Sequence, residues 1–144
     1  MQSRVAAQNT TSLRCRVFIR DSTTRMGKIG LAFNTAGFSM AYNNGPSDTA
    51  HAITLVTQTV GGTWASGGFV EVDNTKMPGW YQLDVPNAAL LSTGAGPAQI
   101  VWKGTGILDD YLDIELTGFD PNTIDKAGFK LATDGLNTIT GYVP

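Results

Sequence analysis

The chain is poor in the residues from which reactive sites are usually assembled. Its 144 residues include one cysteine and one histidine. Cys15 has no partner for an internal disulfide, and one Cys with one His cannot close a zinc site, which takes four such ligands or three and a water. Charged residues make up only 15% of the chain, against about 25% in an average globular protein. The surface must therefore be built largely from Ser, Thr, Asn, Gln and Gly.

The net charge is −2, and arginines gather only at Arg14, Arg16, Arg20 and Arg25. Binding to nucleic acid needs a concentrated phosphate-neutralising face, so neither nucleic acid nor an anionic membrane is an expected partner. The chain has no run of about 18 or more apolar residues. Its first residues, MQSRVAAQNTTS, lack the apolar segment of a secretory signal. Synthesis in a cytoplasm, without export by the usual route, is the expectation.

What the sequence does contain is β pattern. From His51 to Pro86 it reads as three consecutive strands, HAITLVTQTV, GFVEVD and GWYQLDVP, rich in β-branched and aromatic residues and bounded by Gly, Pro and Asn. Period-two alternation places Val70 and Val72 inward with Glu71 and Asp73 in solvent. In the next segment it places Tyr81, Leu83 and Val85 inward and Trp80, Gln82 and Asp84 on a wet face. The segment His51 to Val60 alternates less cleanly and reads as an inner strand covered on both sides.

Further strands are expected over Leu13 to Arg20, Phe38 to Tyr42, Pro97 to Lys103 and Tyr111 to Phe119. Lys28 to Phe33 reads as a short edge strand, and NAALLSTG as one helical turn closed by Gly94. The inward residues are Leu13, Cys15, Val17 and Ile19; Phe38, Met40 and Tyr42; Ala98, Ile100 and Trp102; and Leu112, Ile114 and Leu116. Seven or eight strands at short intervals predict an all-β, antiparallel two-sheet sandwich, Ig-like or jelly-roll-like, with a closed barrel as the alternative. The expected division is a flexible N-terminal arm over 1–12, the sandwich over 13–119 and an extended C-terminal docking tail over 120–144.

Candidate chemistry is sparse. His51 is the one base through which a Ser-His or Cys-His scheme would have to pass, and its place after the turn NNGPSDTA favours a structural histidine. No G-x-S-x-G elbow occurs. GTGAGP lacks the Lys-Ser/Thr ending of a phosphate loop. Asp109, Asp110, Asp113 and Glu115 offer oxygens for calcium but lack the EF-hand order, and read as a solvated strand edge. Glu71 and Asp84, on neighbouring strands, have the residue types of a glycosidase pair but read as surface. Catalytic, cofactor and metal residues are therefore assigned to none. Trp64, in the turn GGTWASGG, is the one candidate contact residue for protein or glycan. Trp80 and Trp102 are expected to plug the core or cap its ends.

The segments VFIRDSTT, GLAFNTAGFSMAY, AITLVTQTVGGTWASGGFVEVDNTKMPGWYQLDVPNAALLSTG and DIELTGFDP, from Arg16 to Pro121, resemble a family of small β-sandwich proteins of tailed bacteriophages. GGFVEVDNTKMPGWYQLDVP is the most specific part. The outline is similar to the N-terminal sandwich modules of phage baseplate and fibre proteins, and DKAGFKLATDGLNTI looks like the region that follows them. The resemblance implies a virion building block without enzyme activity, assembled in the host cytoplasm and used as a homo-oligomer among other virion proteins. A tail, fibre or baseplate location is favoured over capsid decoration (cement). The reading of a different class is a carbohydrate-binding module that takes a host-surface glycan through Trp64.

Overall fold

The hairpin Gly68–Asp73 (β6) and Met77–Asp84 (β7) forms where two β-rich runs flank the turn Asn74–Lys76, whose N–H groups at Thr75 and Lys76 bond the Asp73 carboxylate at 2.9 and 2.7 Å. Leu83 of β7 meets Phe69, and the Tyr81 ring stacks on Phe69 with centroids 5.0 Å apart and planes 4° from parallel. Around this hairpin, the computed structural model describes residues 2–93 and 96–118 as a two-layer sandwich. The remaining strands are Gln2–Ala7 (β1), Arg14–Phe18 (β2), Phe38–Asn44 (β3), His51–Ala52 (β4), Val56–Thr57 (β5), Ala98–Gly104 (β8) and Asp110–Thr117 (β9). A 3-10 turn, Asn87–Leu90, follows Pro86 and buries Ala89 and Leu90.

One sheet has the order β1-β9-β8-β3-β4 and the other β2-β7-β6-β5. The all-β sandwich expected from the alternation is thus present, but the sheets are mixed: β1 runs parallel to β9 and β5 parallel to β6. Between the layers lie Cys15, Val17 and Ile19, Met40, Phe69, Tyr81, Leu83 and Val85, Ala98, Ile100 and Trp102, and Leu112 and Ile114, all buried. These are the inward residues of the alternation in β2, β3, β7, β8 and β9. Phe38, Tyr42, Leu13 and Leu116 are half-buried against them.

Five expectations are corrected. The free arm over 1–12 is, from Gln2 to Ala7, an edge strand of the first sheet. QSRVAA shows no alternation because Ala6 is its only buried side chain, so main-chain pairing holds it. The Gln2 amide adds to this, donating to the Phe18 carbonyl and accepting from the Phe18 N–H, both at 2.9 Å. Gln2 thereby occupies part of the exposed edge of β2, the kind of edge that otherwise recruits other chains.

The second correction concerns His51 to Val60, which is no inner strand: it crosses from one sheet to the other, pairing with β3 through β4 and with β6 through β5. Its mixed pattern reflects that switch. Third, β6 presents Phe69 and Glu71 inward, while Val70 and Val72 are half-buried on the outer face. The aromatic contact with Tyr81 decides that strand's orientation, and Glu71 is tolerated inside because it accepts from the Gly30 N–H at 3.0 Å and has its Oε2 3.2 Å from the Tyr81 hydroxyl oxygen.

Fourth, the outer face of β7 is not wet: Gln82 and Asp84 are 3% and 0% exposed. Fifth, residues 28–33 form a loop, not an edge strand. It is fastened by Tyr81, whose hydroxyl donates to the Lys28 carbonyl at 2.8 Å and accepts from the Leu31 N–H at 3.2 Å. Trp102 plugs the core as expected, whereas Trp80 lies half-buried on the outer face against Phe18, with ring centroids 5.2 Å apart. The glycine before it is required: Gly79 has φ +89°, and a Cβ there would lie 2.5 Å from the Gly27 Cα and 2.6 Å from the Phe18 ring. The closing Gly94 and the expected tail over 120–144 lie outside the described residues.

Candidate functional site

The strongest polar constellation is built around Asp84 at the end of β7. Its strand turns it away from the interior, yet the loop between β5 and β6 folds back over it. Arg14, its cross-strand partner on β2, donates from Nε to Oδ1 at 2.6 Å and from Nη2 to Oδ2 at 3.1 Å, and also from Nη2 to the Gly62 carbonyl at 2.7 Å. Oδ2 further accepts the Gln58 amide at 2.7 Å and the Ala65 N–H at 3.0 Å. Beside it, Gln82 accepts from the Gly61 N–H and donates to the Thr59 carbonyl. Gly68 is a glycine because a Cβ would lie 2.7 Å from Asp84 Oδ2.

Burial by itself raises the Asp84 carboxyl pKa. The Arg14 guanidinium, the Ala65 N–H and the Gln58 amide outweigh it, and the net pKa is below the ordinary carboxylate value. A carboxylate that is 0% exposed, held by four donors and depressed in pKa has no proton to give near neutrality and no open face toward a substrate, so it holds a loop. Glu71, its supposed glycosidase partner, points to the opposite face of the same sheet. The two cannot flank one glycosidic bond.

Other candidates are also held in structural contacts. His51 Nε2 lies 2.9 Å from Asp48 Oδ1, and its ring stacks on Tyr42 at 5.1 Å. Asp48 Oδ2 accepts the Asn44 N–H at 2.8 Å, which locks the turn between β3 and β4. These residues line a cleft of about 410 Å³ with Ser47 and Thr93. Cys15 is 2% exposed, and burial pushes its thiol up to about 11 despite the nearby Arg4, so it is unreactive at neutral pH. Asp109, Asp110, Asp113 and Glu115 are strung along β9 and the residue before it. Among the described residues no group of three or more His, Cys, Asp or Glu is placed to hold a metal ion.

Trp64 is half-buried, and its indole N–H donates to the Leu13 carbonyl at 3.1 Å. Its ring forms a wall of an open cleft of about 670 Å³ that also includes Tyr42, Thr54, Ser66 and Asn87. Sequence reasoning found Trp64 by its loop position but not the anchor to Leu13, 51 residues away. It also missed the Arg14–Asp84 pair, because alternation places both on an outer face and says nothing of the loop that covers them.

Acid should therefore destabilise the fold in a defined window. Asp21 is lowered from 3.8 to about 2 by the N–H groups of Thr24 and Thr23 and by Lys28, and Asp48, Asp73 and Asp84 are lowered as well. Carboxylates depressed in the folded state contribute stability that is complete above 3.8 and lost as the pH falls through about 2. Urea unfolding midpoints should be level near neutrality and fall below about pH 4. A midpoint that rises on acidification would contradict these assignments.

The fold and its polar contacts define a two-sheet β-sandwich whose described residues contain no helix long and apolar enough to cross a membrane. Comparison with protein-family models, with curated proteins and with solved structures yields no match.

Proposed function

We propose that this protein is a non-enzymatic structural module of a tailed-bacteriophage virion, assembled in the host cytoplasm and used in several copies within the tail, fibre or baseplate. Decoration of the capsid as a cement protein is the alternative place on the same particle. The particle assignment rests on the resemblance over Arg16 to Pro121. The observation that carries the non-enzymatic part is the internal use of the reactive inventory: Asp84 lies under Arg14, His51 on Asp48 and Cys15 in the core. What remains outside is a rigid, sparsely charged surface suited to contacts with other proteins. Mass spectrometry of purified particles, before and after separation of tails from shells, is the test. The expected result is recovery at many copies in the tail fraction. Recovery with the shells would favour the cement role, and absence from particles would overturn the virion reading.

The Trp64 cleft favours a second reading, a glycan contact, since two aromatic residues and several hydroxyl and amide groups share one open surface. Quenching of tryptophan fluorescence by host-surface saccharides, lost in Trp64→Ala, would support it.

A further inference from the structure

Among the described residues, the outer faces of the two sheets differ in their predominant charge sign. On the outer side of the second sheet, Arg16 and Arg20 are exposed, with the Arg20 guanidinium 5.7 Å above the Phe18 ring, which in turn packs on Trp80. Arg4 reaches over from β1 to donate to the Arg14 carbonyl at 3.2 Å. Arg4 and Arg16 share an open groove of about 780 Å³ with Trp80 and Val60. Among the described residues, Arg14 and Lys28 are ion-paired, to Asp84 and Asp21, whereas Arg4, Arg16 and Arg20 are in no ion pair. The carboxylates of the second sheet are withdrawn: Asp84 is buried, Glu71 points inward, and Asp73 is held in its turn.

The outer face of the first sheet is predominantly acidic. Asp113 and Glu115 alternate outward on β9, paired in register with Ser3 and Val5 of β1, and Asp109 precedes the strand. Lys103 is the cation beside Asp109, and Arg4 stands at the rim beside Asp113 and Glu115. Exposed Val5 and Val101 supply apolar area between the charges.

We infer that the Arg16–Arg20–Trp80 face of one copy docks on the Asp109–Asp113–Glu115 face of a second copy. The inference rests on the oligomeric part of the reading above and names its interface. The two faces belong to different layers and look away from each other, so they cannot meet within one molecule. Each aromatic or aliphatic centre is bordered by charges predominantly of one sign, with Lys103 and Arg4 the cations at the edge of the acidic face, and complementary potentials set register and suppress wrong pairings. The contact is heterologous: each copy bound at one face leaves the other free, so association continues beyond a dimer into a ring or a row.

Sedimentation velocity on the full chain tests this. Because exposed charges are screened as the Debye length shrinks from about 10 Å at 0.1 M salt to about 3 Å at 1 M, assembly should be present at low salt and dissolve at high salt. Arg16→Glu with Arg20→Glu gives a copy with two acidic faces, and Asp113→Lys with Glu115→Lys a copy with two basic ones. Each double variant alone should be monomeric, with affinity lowered about tenfold or more. An equimolar mixture should reassemble in strict alternation. Circular dichroism matching the wild type shows that the variants are folded, as expected for side chains on the outer faces of the sheets. If the wild type assembles but the reversals leave it unchanged, the interface is elsewhere: the inference falls while the virion reading stands. A wild type that stays monomeric at low salt also overturns it, and the particle composition then judges the virion reading by itself.

Discussion

Asp84→Ala should lower the stability of the sandwich by about 2–4 kcal/mol, since buried donors lose their acceptor while the Arg14 left unpaired is 27% exposed and can be hydrated. The carboxylate is 0% exposed and joins three separate pieces of chain: β2 through Arg14, the start of the loop through Gln58, and its end through Ala65. Removing it leaves the Ala65 N–H without its acceptor, leaves the Gln58 amide with the Thr63 carbonyl as its remaining acceptor, and takes away the counter-charge of Arg14. The loop over 58–67 should open, and proteolysis should begin there. Asp84→Asn keeps the shape and one acceptor oxygen but loses the charge assistance, so its effect should lie between alanine and the wild type.

Arg14→Met provides the sign test. It leaves a buried carboxylate without its cation, so the Asp84 pKa should rise, and the deficit relative to the wild type should be largest at neutral pH and shrink as acid protonates the group. Urea unfolding of all three variants at neutral pH and near pH 3 reads both effects. A deficit for Arg14→Met that is independent of pH would show that the pair contributes through packing alone.

Trp102→Ala should cost about 3–5 kcal/mol, the range for emptying an aromatic site in a packed core. Trp102 is 1% exposed on β8, directly across the sheet from Met40 of β3, and is among the largest side chains between the layers. Trp102→Phe should be far milder, about 1 kcal/mol. The indole N–H of Trp102 is buried with no hydrogen-bond acceptor among the described residues, so phenylalanine discards an unmatched donor together with part of the ring. Trp64 and Trp80 remain as fluorescence reporters of unfolding for both variants. Equal losses in the two would mean that the volume near the indole nitrogen, and not the polar mismatch, dominates.

The inward sides of β2, β7, β8 and β9 were legible because a strand exposes alternate residues to opposite environments. CRV, YQLDV, AQIVW and LDI each place an apolar residue at every second position, and the buried set follows that count. The same rule misread β6, where Val70 and Val72 alternate as well as Phe69 and Glu71 do. The choice between the two registers was made by the Phe69–Tyr81 stack, a contact across strands that no local pattern encodes. It also left β1 unseen, since QSRVAA buries only Ala6 and is held by main-chain bonds and the Gln2 amide.

For the polar residues the division is similar. The scarcity of Cys and His, the low charge and the clustering of arginines near β2 are properties of composition and could be read directly. The covering of Asp84 could not, because its partners stand 70, 26 and 19 residues away and meet only when the β5–β6 loop folds over the outer sheet. The sequence by itself determined the fold class and most of the core, since period-two burial is a local property of an extended backbone. Tertiary structure alone decided which strands share a sheet, which outer positions are covered and which charges are left facing solvent. Those outcomes depend on where distant loops land, and strand alternation carries no information about that.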